Sequence, residues 1–171
     1  MSDLRKKWII FAEYLKKYAK VKMAEKVIYF AYGFNMSTKW LKARVPSARP
    51  LGRARLPNKR LVYNKKSKDG SGKANLIDSP GDIVWGVLYE IDSAELAKLD
   101  RIESGYTRIS LDVITDQDLP VKAYVYISPE LTDDPRPYDW YKALIIKGAR
   151  EHQLPVSYVR HLEQMPSKPD F

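Results

Sequence analysis

Residues 27–31, Val27-Ile28-Tyr29-Phe30-Ala31, form an unbroken apolar run of strand length that stops at Tyr32-Gly33. A strand without polar alternation has no face to offer to water, so this one is predicted to be central and covered on both sides. Partner strands are expected near residues 50–56, 59–64, 73–78, 82–90, 106–115 and 121–128, which are mostly rich in Val, Ile, Leu and Tyr and separated by turn residues. The polar residues 65–73, with Gly70-Ser71-Gly72 at their centre, read as a loop.

Helical segments are fewer. Ser37 or Thr38 can cap a short helix through about Ala43, which Pro46 ends. Asp92 with Glu95 three residues on makes a capping-box pattern, opening a helix through Leu96, Leu99 and Glu103 that Gly105 can terminate. Another helix is expected from Pro137 or Tyr138 to about Gln153, and Pro155 opens a shorter one carrying Tyr158 and Leu162. These elements predict an α+β fold, a small mixed β-sheet or barrel flanked by helices.

The 171 residues suit a single domain. Residues 3–20 place Leu4, Trp8, Phe11, Leu15 and Tyr18 on one face of a helix and lysines over much of the rest. Residues 1–22 are therefore read as an N-terminal amphipathic helical extension and residues 23–171 as the domain. The stripe is expected to pack against that domain, as such stripes most often do, in preference to peripheral contact with a membrane. Apolar residues 8–12 after Arg5-Lys6-Lys7 superficially resemble a signal peptide, but Glu13 and Lys16-Lys17 interrupt the run, and mature protein is expected. No apolar run reaches the roughly 20 residues of a transmembrane helix.

Several chemistries lack their residues. Without cysteine there are no thiol nucleophiles, disulfides or cysteine-bearing metal sites, and a cytoplasmic location is the simplest reading. His152 and His161 have no closely spaced carboxylate array, so no metal site is expected. Gly70-Ser71-Gly72 is not a nucleophile elbow, and Gly72-Lys73-Ala74 fails the phosphate-loop pattern at Ser67 and Ala74. No cofactor is expected. The net charge of +9 attracts acidic ligands, but its scattered basic residues carry no nucleic-acid signature, so no obligatory nucleic-acid partner is expected.

Two features can carry chemistry. In residues 29–37 a buried strand runs into a glycine-containing loop and a helix start, a junction whose free N–H groups suit an anion, although Gly33 equally permits a tight turn. The second is Glu103, which shares a helical face with Leu96 and Leu99. Burial and a helix C-terminus both raise a carboxylate pKa and favour proton exchange near neutrality; a frayed last turn would instead leave it in water.

Together these features resemble the γ-glutamylcyclotransferase family. The matching residues are Tyr29-Phe30-Ala31-Tyr32-Gly33 with Asn35, Val84-Trp85-Gly86-Val87-Leu88, Leu99-Asp100 with Glu103 and Gly105-Tyr106, and Tyr141-Lys142 with Gly148-Ala149-Arg150-Glu151, continued by Leu154-Pro155 and Tyr158. The resemblance implies a small mixed β-barrel flanked by helices. It further implies catalysis by Glu103, and a substrate site made by Tyr29, Phe30, Ala31, Tyr32, Gly33, Phe34 and Asn35 and closed by Tyr141. The implied reaction cyclises a small γ-glutamyl amino acid or amine to 5-oxoproline, without cofactor, in a monomer or homodimer. Phe34 stands where the family usually has serine, and the YGSL variant of the glutathione-directed branch is absent. Another γ-glutamyl or amide substrate remains open, as does a basic binding module with a vestigial pocket.

Overall fold

The computed structural model describes residues 3–19 and 24–171. The expected boundary between residues 22 and 23 and the side chain of Tyr18 lie outside what it describes. The domain is a closed five-strand barrel in the order β1-β3-β2-β4-β5, formed by β1 (Lys26–Ala31), β2 (Arg49–Lys66), β3 (Gly72–Asp92), β4 (Thr107–Thr115) and β5 (Pro120–Ile127). Neighbours run antiparallel except β1 and β5, which close the barrel in parallel at Tyr29 and Tyr124. The sheet is mixed, as the sequence predicts.

The apolar run of β1 is central because it lies between β3 and β5, and its Tyr29, Phe30 and Ala31 are all buried. Its core neighbours include Val87, Ile91, Val113 and Val125, contributed by three other strands. Burying such side chains stabilises the fold by about 1.5–3 kcal/mol each, before the entropy of ordering the chain is subtracted.

Four of the expected strands are two long ones. The turn residues Pro57-Asn58 and Pro80-Gly81 do not end β2 and β3; they are absorbed as a register shift between Pro57 and Lys59. Asn58 and Gly81 take left-handed backbones, at φ of 60° and 84°, and Asn58 Oδ1 accepts from the Gly81 N–H at 3.0 Å. The loop expected over residues 65–73 shrinks to residues 67–71. Asp69 fastens it by accepting from the Ser71 N–H at 2.9 Å and the Ser71 hydroxyl at 2.6 Å.

The helices are α1 (Asp3–Ala19), α2 (Thr38–Arg44), α3 (Leu96–Ile102), α4 (Asp139–Glu151) and α5 (Val156–Gln164). The expected capping box at Asp92 does not form, because both carboxylates have other partners: Asp92 pairs with Lys26, and Glu95 accepts from the Ser47 N–H at 3.0 Å. Helix α4 sits tightly on the turn after β1. A Cβ on Gly148 would lie 3.0 Å from Met36 Cβ, so glycine sets how closely Tyr141's helix approaches that turn.

The α1 helix forms where its periodicity predicts, but its stripe does not pack on the domain. Leu4, Trp8, Phe11 and Leu15 remain 51–70 % exposed. Among the described residues, no helix is long and apolar enough to cross a membrane.

Candidate active site

A small pocket opens where the turn after β1 meets α3 and α4. Glu103 is the one carboxylate among its lining residues. The remaining walls include Tyr29, Tyr32, Gly33, Phe34, Asn35 and Tyr141. Phe30 and Ala31 are not brought to the pocket. Both are buried in the core, at 0 % and 1 % exposure.

Glu103 lies just past α3 and not within it. The helix ends at Ile102, and Glu103 caps it with φ −85° and ψ 44° while its N–H still donates to the Leu99 carbonyl at 2.9 Å. Gly105, at φ 84°, then turns the chain into β4. The expected direction of the carboxylate is kept, but the cap sets it in place of helical spacing.

One polar chain orients this carboxylate. Asn35 Nδ2 lies within hydrogen-bonding distance of both Glu103 Oε1, at 2.5 Å, and the Tyr29 hydroxyl, at 3.0 Å. Asn35 Oδ1 accepts in turn from the Arg44 guanidinium. The amide orientation is thereby fixed from both ends. Burial pushes the Glu103 carboxyl above its ordinary value, while Arg44, the Asn35 hydrogen bond and Lys65 pull it back. Desolvation wins. The residue is nonetheless partly exposed and lines the pocket, so a ligand there can reach it.

The surrounding phenols are held protonated. Burial is the largest cause raising the hydroxyls of Tyr29, Tyr32, Tyr106, Tyr126 and Tyr141 above the ordinary tyrosine range. Three spend their protons on the protein: Tyr32 donates to the Tyr126 carbonyl at 2.5 Å, Tyr106 to the Ala74 carbonyl at 2.7 Å and Tyr126 to Asp100 at 2.6 Å. Tyr141 accepts from the Ala74 N–H at 3.2 Å. Among the described residues, neither Tyr29 nor Tyr141 donates its proton to a protein group, which leaves both available to a bound oxygen.

Gly33 is required for proximity and not for a left-handed turn. Its φ is −123°, and an added Cβ would stand 3.1 Å from Ala74 Cβ across the pocket floor. Phe34 stacks on Tyr141, with ring centroids 6.0 Å apart and planes at 9°, and the Arg44 guanidinium lies 5.7 Å from its centroid. The Lys73 ammonium stands 4.4 Å from the Tyr141 ring centroid.

Ala74, Arg44 and Tyr126 had no local signal marking them for the site. Tyr126 sits on a strand whose inward positions alternate, so its side could be read from the pattern, but its meeting with Tyr32 and Asp100 depends on barrel closure. Arg44 ends a short helix that reads as exposed. Among the described residues, no group of three or more His, Asp or Glu residues is placed to hold a metal ion.

The AIG2-like family profile matches residues 83–162. The chain is 33% identical over 150 residues to γ-glutamylcyclotransferase of Bos taurus, spanning 82% of this chain and 79% of that protein. It is 34% identical over 148 residues to the Homo sapiens γ-glutamylcyclotransferase, spanning 81% and 78%. A solved γ-glutamyl cyclotransferase structure superposes with a TM-score of 0.79 at 32% identity, covering 84% of this chain and 90% of that one. The chain belongs to the γ-glutamylcyclotransferase family.

Proposed function

We propose that this protein converts γ-glutamyl amino acids or γ-glutamylamines to 5-oxoproline and a free amine. The observation that carries the reading is Glu103, the one carboxylate lining the pocket, with a raised pKa and an orientation fixed by Asn35. The relatives named γ-glutamylcyclotransferase support the same reaction.

In the substrate, the α-amine and the γ-carbonyl belong to one flexible chain. Folding that chain so that the nitrogen faces the carbonyl carbon converts conformational freedom into rate. Glu103 accepts a proton from the α-ammonium, and the freed amine attacks the γ-carbonyl to close a five-membered ring. The Tyr29 and Tyr141 hydroxyls, together with N–H groups near Gly33, Phe34 and Asn35, hold the substrate's carboxylate and the oxygen on which negative charge develops. Glu103 returns its proton to the leaving nitrogen as the old carbon–nitrogen bond breaks. A second proton follows as the ring nitrogen becomes an amide and the released amine an ammonium. The proton balance closes.

Phe34 places an aromatic ring where a serine hydroxyl usually stands, so substrate choice in this chain rests on main-chain groups and stacking. The test is a panel of γ-glutamyl dipeptides and γ-glutamylamines, with 5-oxoproline and free amine both quantified. Equal yields of the two products from at least one member support the reading. Hydrolysis to glutamate, or no turnover across the panel, overturns it.

A further inference from the structure

The α1 helix makes no use of its apolar face within the domain. Its side chains from Asp3 to Lys17 are exposed, including Leu4, Trp8, Ile10, Phe11 and Leu15. At 100° per residue Leu4, Trp8, Phe11 and Leu15 fall within an arc of about 60°, whereas Ile10 lies about 100° away from it, beside Lys17. Arg5, Lys6, Lys16 and Lys17 lie on the opposite side with Glu13, while Lys7 pairs with Asp3 at 3.3 Å. The helix carries five basic residues against two acidic ones. Its 17 residues make a rod of about 25 Å.

Those properties select among occupants. A second copy of the helix would satisfy the apolar arc but leave the basic face with no oppositely charged partner. Nucleic acid would satisfy the charge and leave Trp8 and Phe11 in water. An anionic bilayer surface satisfies both, because the apolar side chains enter the boundary of the acyl chains while the lysines stay among the headgroups. Trp8 is suited to that boundary by its apolar body and polar N–H. The whole chain's charge of +9 adds attraction of the same sign.

We propose that α1 is a peripheral anchor that lies in the plane of an anionic lipid surface, with Leu4, Trp8, Phe11 and Leu15 inserted and the basic face toward the headgroups. The pocket itself takes no part in this contact.

The test uses the full chain with sedimented vesicles of phosphatidylcholine, alone or with about a third phosphatidylserine, at about 0.15 M salt. Binding to the anionic vesicles is expected to exceed binding to neutral ones by at least about ten-fold. The double variant Trp8→Glu/Phe11→Glu is expected to lose at least about ten-fold of that binding. Trp8→Ala/Phe11→Ala, which does not disfavour the helix, should lose most of it as well. Lys6→Gln/Lys17→Gln should reduce the preference for phosphatidylserine. All three variants should keep the melting temperature of the parent protein, since α1 is not packed on the barrel. The proposal is overturned if the parent protein fails to bind anionic vesicles or binds neutral ones equally, or if the Ala variant retains full binding. Preferential retention on duplex DNA, or self-association that the Ala variant abolishes without vesicle binding, also overturns it.

Discussion

Asn35 Nδ2 donates to Glu103 Oε1 at 2.5 Å, joining the turn after β1 to the end of α3 across the pocket. The two groups are 68 residues apart in sequence. Replacing Asn35 with Ala removes the donor that steadies the carboxylate, and kcat/KM should fall about 10- to 100-fold, corresponding to the ~1.5–3 kcal/mol of a hydrogen bond to a charged group. Asn35→Asp should be worse, because it sets a second negative charge against the first. Steady-state kinetics of both variants checks this, with melting curves to confirm that the barrel persists.

Glu103 must be ionised to accept the substrate's proton. Burial raises its pKa, so the acid limb of the kcat/KM profile should lie above the ordinary glutamate value of about 4.3. Arg44 is the largest influence in the opposite direction. Removing that positive charge in Arg44→Gln destabilises the carboxylate, so the acid limb should move to still higher pH. A limb that stays put, or moves down, contradicts the assignment.

The same raised pKa has a consequence for stability. A group whose folded pKa exceeds its unfolded one favours folding fully below the unfolded value, and that contribution disappears as pH rises through the folded value. Glu103→Gln removes the charge that burial opposes while keeping an oxygen for Asn35. The variant should therefore melt higher than the parent protein at pH above the folded pKa, and its advantage should shrink as pH falls to about 4. Melting temperatures across that range measure it.

Phe34 stacks on Tyr141 and lies against Arg44. Phe34→Ser withdraws about 1 kcal/mol of aromatic packing, which should lower the melting temperature by roughly 2–4 °C. The KM profile over a γ-glutamyl panel should change with it, since Tyr141 loses the ring that fixes its plane. A variant with unchanged KM values for every substrate would show that Phe34 has no part in selection.

Legibility varied with the range of the interactions involved. The apolar run of β1 announced a buried central strand, and the 3.6-residue periodicity of α1 and α4 announced helices, because each depends on local spacing. Pro57-Asn58 and Pro80-Gly81 misled because turn chemistry also serves a bulge when strands continue past it; only the β2–β3 register distinguishes the two. Asp92 and Glu95 had the spacing of a capping box, yet Lys26 and the Ser47 N–H, both distant in sequence, took their carboxylates. In the pocket, Glu103 and Asn35 were visible as motif residues. Their mutual hydrogen bond and the supporting Arg44 depend on tertiary folding. Phe30 and Ala31 share the motif but are not among the pocket-lining residues.

In the proposed reaction Glu103 moves the proton of an intramolecular cyclisation. Purified parent protein and Glu103→Gln are each incubated with a turned-over γ-glutamyl substrate, with 5-oxoproline followed over time and substrate binding measured by calorimetry. The variant should bind the substrate but form 5-oxoproline at least about 10²-fold more slowly, the scale of a positioned acid–base group. Parent-like 5-oxoproline formation by a folded Glu103→Gln protein would contradict it.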